Sequence, residues 1–400
     1  ERCDSCRRHR FDAEVVLRRT GHTRSYPLAV CAIPSTAPSR SAATMLPRAW
    51  MTHPIQPSFT IGAAMKILRY LAGLAPLLLL TACGSDDHPP ATPAPVPILA
   101  TAQATPDLSS LVAAVQFASD NNDLVNLFGA SGTLTVFAPT NAAFDALARS
   151  LTGNANARVA DILVPANKPM IRSVLQYHVL TSVVGSTAIP FGKAITPAGG
   201  GYFKIDLVSG KPVITDGRNR KSNITTTDIA ASNGVVHLVD GVLLPADKTV
   251  VQTAIASAPE FSSLVAALQF ASNDNDLVNT LSGTGPFTVF APTNAAFDAL
   301  ARELTGNAAA TATALLVPEN KALLRAVLTY HVVAARVLKA EIAVNTPITT
   351  VQGRTFVIQA PTSGVTITDG RNRVANITAT DVLASNGVIH VIDKVILPPQ

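Results

Sequence analysis

Five polar residues recur in this chain at one fixed spacing. Asp216, Arg218, Asp228, His237 and Asp240 return 153 positions later as Asp369, Arg371, Asp381, His390 and Asp393. A histidine among carboxylates is the raw material of acid–base catalysis or of a metal site. The local patterns speak against both. Asp216-Gly217 and Asp369-Gly370 are hairpin-turn dipeptides. His237 alternates with Val235 and Val239, so on a strand it shares their face and is expected to point inward and donate to a backbone carbonyl; His390 repeats the pattern. There is no Gly-x-Ser-x-Gly elbow, no His-x-x-x-His pair and no phosphate-binding glycine loop. We therefore expect no catalytic residue, no metal site and no cofactor.

Two further pairs recur. Tyr177-His178 and Tyr330-His331 each end a stretch with helical apolar spacing. His178 and His331 are expected to be structural, hydrogen-bonded inside the fold, because a buried polar group needs a partner. Asp228-Ile229 and Asp381-Val382 stand in Thr-rich stretches just before the last strand of each copy, where an exposed turn or a cap is expected. Asn223-Ile-Thr225 and Asn376-Ile-Thr378 match a glycosylation sequon but are read as strand-start residues.

Stepping outward, these residues belong to one unit written twice. Residues 135–149 recur letter for letter as 288–302, 214–220 as 367–373 and 231–235 as 384–388, always at the same offset. That period is a whole domain, too long for a solenoid unit. It predicts domains at 101–248 and 251–400. In each copy, Leu108, Leu111 and Val115 have helical spacing, 134–137 reads as a strand, and Thr140 or Asn141 caps a helix with Phe144, Leu147 and Ala148 on its apolar face. A helix with Pro169 near its first turn follows, and from Ala194 the chain is strand-rich. Helices first and strands after predict an α+β fold.

The remaining sequence reads as an address. All four cysteines fall in the first 83 positions, so neither domain has a disulfide or a thiol site. Eleven of the 31 basic residues also lie there, against four of the 26 acidic ones. The net charge of +5 is thus a property of the leader, and the rest gives no electrostatic case for nucleic acid. Residues 1–64 lack sustained periodicity and read as an extension upstream of the native start, with a disordered arm as the alternative. Lys66 and Arg69, the apolar run 71–80 and Thr81-Ala82-Cys83 then resemble a bacterial lipoprotein signal peptide over 65–83. That resemblance implies acylation of Cys83 and a lipid-anchored protein of the cell envelope, at the outer membrane or cell surface. Residues 84–100 are a Pro-rich spacer of extended character.

Within the repeats, Thr135-Val-Phe-Ala-Pro-Thr-Asn-Ala-Ala-Phe144, the Tyr-His pair and Ala231-Ser-Asn-Gly-Val-Val-His-Leu-Val-Asp240 occur in order, twice. Together they resemble the boxes of the fasciclin family. The resemblance covers about 101–400 and implies a β-sandwich-like core with packed helices. It also implies adhesion, matrix or ligand binding by a protein that is not an enzyme, with an extracellular or surface protein or a polysaccharide as partner. Tyr177 and Tyr330, and the Asp-Ile-like pairs Asp228-Ile229 and Asp381-Val382, are the candidate interaction residues that it suggests. The copies depart from the family's pattern at Ala230 and Val382. A small-molecule or polysaccharide-binding lipoprotein is the alternative, and a deep pocket with convergent polar groups would favour it.

Overall fold

A computed structural model describes residues 94–129, 132–362 and 364–400. The upstream extension, the signal peptide with Cys83 and most of the Pro-rich spacer lie outside the described residues. Both repeats fall within a single compact unit.

The first repeat opens with α1 (Ile98–Ala104), α2 (Ser109–Ala118) and α3 (Asp123–Gly129), followed by β1 (Leu134–Pro139). Ile98, inside the stretch read as spacer, is buried against the helical core, so the domain begins earlier than its predicted boundary. Next come α4 (Asn141–Thr152), α5 (Val159–Ile162), α6 (Lys168–Tyr177) and β2 (Val179–Leu180). The Thr140 hydroxyl caps α4 by accepting from the Ala143 N–H at 3.3 Å, and Gly153, at φ 67°, ends it. Strands β3 (Ala194–Ile195), β4 (Phe203–Val208), β5 (Lys211–Thr215), β6 (Lys221–Ala231) and β7 (Gly234–Val239) complete the domain.

These strands form one seven-stranded sheet in the order β2-β1-β7-β6-β5-β4-β3, antiparallel except for the parallel β1–β7 pair. The eleven-residue β6 bends the sheet. Its first residues pair with β5, its later ones pair with β7, and the register shifts between Ile224 and Ile229. The sheet thereby curls on itself. Phe137 on β1, Phe203 and Ile205 on β4, Ile214 on β5 and Val239 on β7 share one inner core. The Phe137 and Phe203 rings meet edge to face at 5.4 Å. The other face of β1, through Val136 and Ala138, packs on Phe144 and Leu147 of α4 and on Val174 and Leu175 of α6. Every residue of β1 is therefore buried.

The second repeat has the same plan: α7 (Val250–Ala256), α8 (Ser262–Ala271), α9 (Asp276–Ser282), β8 (Phe287–Pro292), α10 (Asn294–Thr305), α11 (Lys321–Tyr330) and β9 (Val332–Val333). It closes with β10 (Pro347–Thr349), β11 (Thr355–Gln359), β12 (Val365–Thr368), β13 (Val374–Ala384) and β14 (Gly387–Ile392). Its sheet runs β10-β11-β12-β13-β14-β8-β9. The fold class is α+β. Among the described residues no single helix is long and apolar enough to cross a membrane.

Candidate functional site

The recurrent polar residues fall into two groups, one internal and one at an edge. In the internal group, His178 follows α6 and is buried. Its Nδ1 lies 2.7 Å from the Val174 carbonyl, and its Nε2 accepts from the Leu243 N–H at 2.9 Å. Only the neutral Nδ1–H tautomer satisfies both contacts. Burial pushes the ring down to a pKa of about 4, against the upward pull of the Val174 carbonyl. His331 repeats this with Val327 at 2.7 Å and Ile396 at 3.1 Å, and burial likewise holds it at about 4. Each histidine ties the end of a helix to the segment after the last strand.

Asp216 and Asp369 stand where the Asp-Gly dipeptides were expected, in the hairpin turns that join β5 to β6 and β12 to β13, and both side chains are buried. Asp216 accepts from the N–H groups of Arg218, Arg220 and Leu244 and from Arg220 Nε, all at 2.9 Å. Asp369 does the same with Arg371, Arg373 and Leu397. Burial raises the Asp369 carboxyl, but these N–H donors and the Arg373 guanidinium bring it below the ordinary carboxylate range. Gly217 is needed because a Cβ there would stand 2.2 Å from the Ala246 nitrogen.

Tyr177 and Tyr330, read as candidate contact residues, are buried. Tyr177 donates its hydroxyl to the Tyr202 carbonyl, and Tyr330 donates to the Thr355 carbonyl at 2.6 Å. An aromatic ring that closes the inner core cannot reach a partner, so this pair is removed from the surface candidates.

The edge group sits where β6 and β13 bulge. Asp228 and Asp381 both have φ 60°, a left-handed conformation that Asp and Asn tolerate better than most residues. The expected turn or cap is therefore a strand irregularity. Asp228 donates its N–H to His237 Nδ1 at 3.2 Å, and His237 Nε2 lies 2.9 Å from the Val184 carbonyl. Asp381 repeats this with His390 at 3.3 Å, and His390 reaches the Val337 carbonyl at 2.9 Å. His237 and His390 are thus Nε2–H tautomers, opposite to His178 and His331. Burial lowers the His390 pKa.

The two bulges then diverge. Asp228 is exposed; it accepts the Ser186 N–H at 2.8 Å and the Ser186 hydroxyl, contacts that lower its pKa. Ile229 is half-buried against the helical core. Asp381, expected at an exposed edge, is instead buried at 6 % exposure, because the first domain covers it. Lys204 of β4 places its ammonium 2.6 Å from Asp381 and 3.1 Å from Asp206. Burial alone would lower the Lys204 pKa, but Asp381 and Asp206 raise it above its ordinary value.

Other contacts join the domains around that ion pair. The Tyr202 hydroxyl donates to the Gly387 carbonyl at 2.6 Å, and the Arg336 guanidinium lies over the Tyr202 ring at 4.3 Å. The Asn219 side chain exchanges two hydrogen bonds with the Leu383 backbone, at 2.6 and 3.0 Å. Tyr202, Leu338, Leu383 and Val388 form a small apolar core between the domains. Val382 is half-buried against the second helical core. Repeat-based reasoning passed over Tyr202, Lys204 and Arg336 because the other copy carries Thr355, Val357 and Val183 at the matching positions. That mismatch was the available signal.

Among the described residues no buried side-chain nitrogen or oxygen lacks a hydrogen-bond partner, and no group of three metal-ligating side chains could hold an ion. A polar cleft of about 180 Å³ lies at the domain junction, lined among others by Arg218, Asn219, Asp247, Lys248 and Thr253.

The fold and these sites define a tandem pair of α+β modules whose repeated polar residues build the domain, with one bulged edge left open. A profile of the Fasciclin domain matches residues 106–245 and 259–398, and the chain belongs to the fasciclin family. Protein sll1483 of Synechocystis is 44% identical over 154 residues, covering 38% of this chain and 74% of that protein. Immunogenic protein MPB70 of Mycobacterium bovis is 33% identical over 154 residues, 37% of this chain and 69% of the relative. Human periostin is 26% identical over 286 residues; these are 70% of this chain but only 30% of periostin. A solved FAS1 domain pair from the insect cell adhesion molecule Fasciclin I aligns with 73% of this chain and 97% of that chain, at 18% identity and a TM-score of 0.35.

Proposed function

We propose that this chain is a non-catalytic adhesion or interaction protein of the cell envelope. In this reading it is tethered through lipid on Cys83 and binds a protein or polysaccharide partner, extracellular or at the surface, through its fasciclin domains. The bulge carries the proposal. In the second domain this element receives another domain through Asp381, while in the first domain the same element, with Asp228, is exposed. The buried histidines and aspartates support a role without catalysis, since their hydrogen bonds are spent on backbone groups.

Beads coated with residues 84–400 should attach to cells or matrix more than uncoated beads do, and Asp228→Asn should reduce attachment. Equal attachment of coated and uncoated beads would refute the reading. The tether is tested separately: a fatty-acid analogue should label the wild type and not Cys83→Ser. The polar cleft at the domain junction favours a second reading, binding of a small polar molecule or a polysaccharide. Saturable sugar binding lost in Arg218→Ala would support that alternative.

A further inference from the structure

Asp381 shows what such a bulge can hold. The two aspartates share their φ of 60°, their N–H contact to a core histidine and an N–H donor 42 residues earlier. These donors are Ser186, at 2.8 Å from Asp228, and Lys339, at 2.7 Å from Asp381. They fix one carboxylate oxygen and leave the other for a partner. On Asp381 that partner is the Lys204 ammonium at 2.6 Å, flanked two residues away by the Tyr202 ring. On Asp228 the second oxygen meets the Ser186 hydroxyl, and among the described residues no lysine or arginine closes on it.

The rims differ in a way that opens the free site. Around Asp381 stand Arg336, Leu338, Leu383 and Val388; the matching positions around Asp228 are Val183, Gly185, Ala230 and Val235. Val183 is 54% exposed. At three of these four positions the first copy has the smaller, uncharged residue, and Val183 and Ala230 are exposed near Asp228, while Val235 stays buried like Val388.

We propose that Asp228 anchors a docking site for a different protein, which presents a lysine ammonium beside an aromatic side chain on an extended strand. The proposal rests on the reading of the chain as an interaction protein and names the chemistry of its partner. Charge complementarity and the equivalent interface within the same chain identify that occupant. A second copy of this chain does not fit. Its Tyr202 and Lys204 are already engaged internally, and its second domain offers Thr355 and Val357 at the matching places.

A cyclised hairpin peptide carrying residues 201–215, and therefore Tyr202 and Lys204, is the probe. Titrated into the 84–400 chain, it should bind saturably, and a carbodiimide should cross-link its Lys204, not its Lys211, to Asp228. Asp228→Asn retains a side chain that tolerates positive φ, so the fold should persist while affinity falls at least about tenfold. A peptide with Thr and Val in place of Tyr202 and Lys204 should not bind. Equal binding to wild type and Asp228→Asn, or no saturable binding, overturns the proposal. If the peptide fails while bead attachment still depends on Asp228, the lysine–aromatic partner is wrong and the interaction reading stands. If the peptide binds at Asp228 but beads never attach, the site stands and the adhesion reading falls.

Discussion

At the scale of single residues, the buried histidines decide how stability responds to pH. His178 and His331 each donate through Nδ1 and accept through Nε2, so protonation would set an N–H against an N–H. Both rings have pKa values near 4 in the folded chain, against 6.5 for an ordinary histidine. Between those values the unfolded chain takes up protons that the folded chain refuses. The contribution of these groups is therefore full above about pH 6.5 and declines as the pH falls towards 4. The denaturant midpoint of the wild type should fall over that window. His178→Ala should be less stable at neutral pH by about 1–3 kcal/mol, since it orphans the Leu243 N–H, and its decline with acid should be shallower. A variant with the wild-type midpoint at every pH would show that the ring bears no load. The inward placement of His237 was legible from its alternation with valines. The opposite tautomers of the two histidine pairs were not, because the carbonyls they meet are 53 residues away for His237 and four for His178.

At the scale of elements, the helices and the central strands were readable because their cues are local. Thr140, Phe144 and Leu147 mark α4 by a cap and an apolar face, and the Phe137 strand is a short apolar run closed by Pro139. The β6 bulge was not readable. Its Thr-rich sequence suits a turn as well as a strand, and only pairing with β7 across a register shift decides between them. That difference changes what truncation costs. A turn aspartate could be cut back cheaply, but Asp228 sits at φ 60°, where alanine is strained and asparagine is tolerated. Asp228→Asn should melt with the wild type, and Asp228→Ala should lose about 1–2 kcal/mol. Equal melting of the two variants would mean that the bulge relaxes on substitution. The inner core makes a larger demand. Phe137→Ala removes a fully buried ring that touches Phe203, with an expected cost of about 3–5 kcal/mol measured by urea titration.

At the scale of the whole molecule, the two domains are related by sequence but not by role. The repeat announced two equivalent units, and it concealed the interface because an interface between tandem copies uses the residues in which the copies differ. Lys204 and Asp381 are both nearly excluded from water, so removing Lys204 leaves the Asp381 carboxylate buried without its ammonium partner, a loss of about 3–5 kcal/mol. Lys204→Ala should therefore uncouple the pair. Calorimetry of the 84–400 chain should show one cooperative transition for the wild type. In the variant it should split, with the second domain melting first, because that domain keeps the stranded Asp381 together with the uncovered Leu338, Leu383 and Val388. Lys204→Met combined with Asp381→Asn removes both charges of the pair while keeping a side chain that tolerates φ 60°, and should restore much of the coupling, since loss of both partners leaves no stranded charge. A single unshifted transition in Lys204→Ala would mean that Tyr202 and Asn219 hold the domains together without the ion pair.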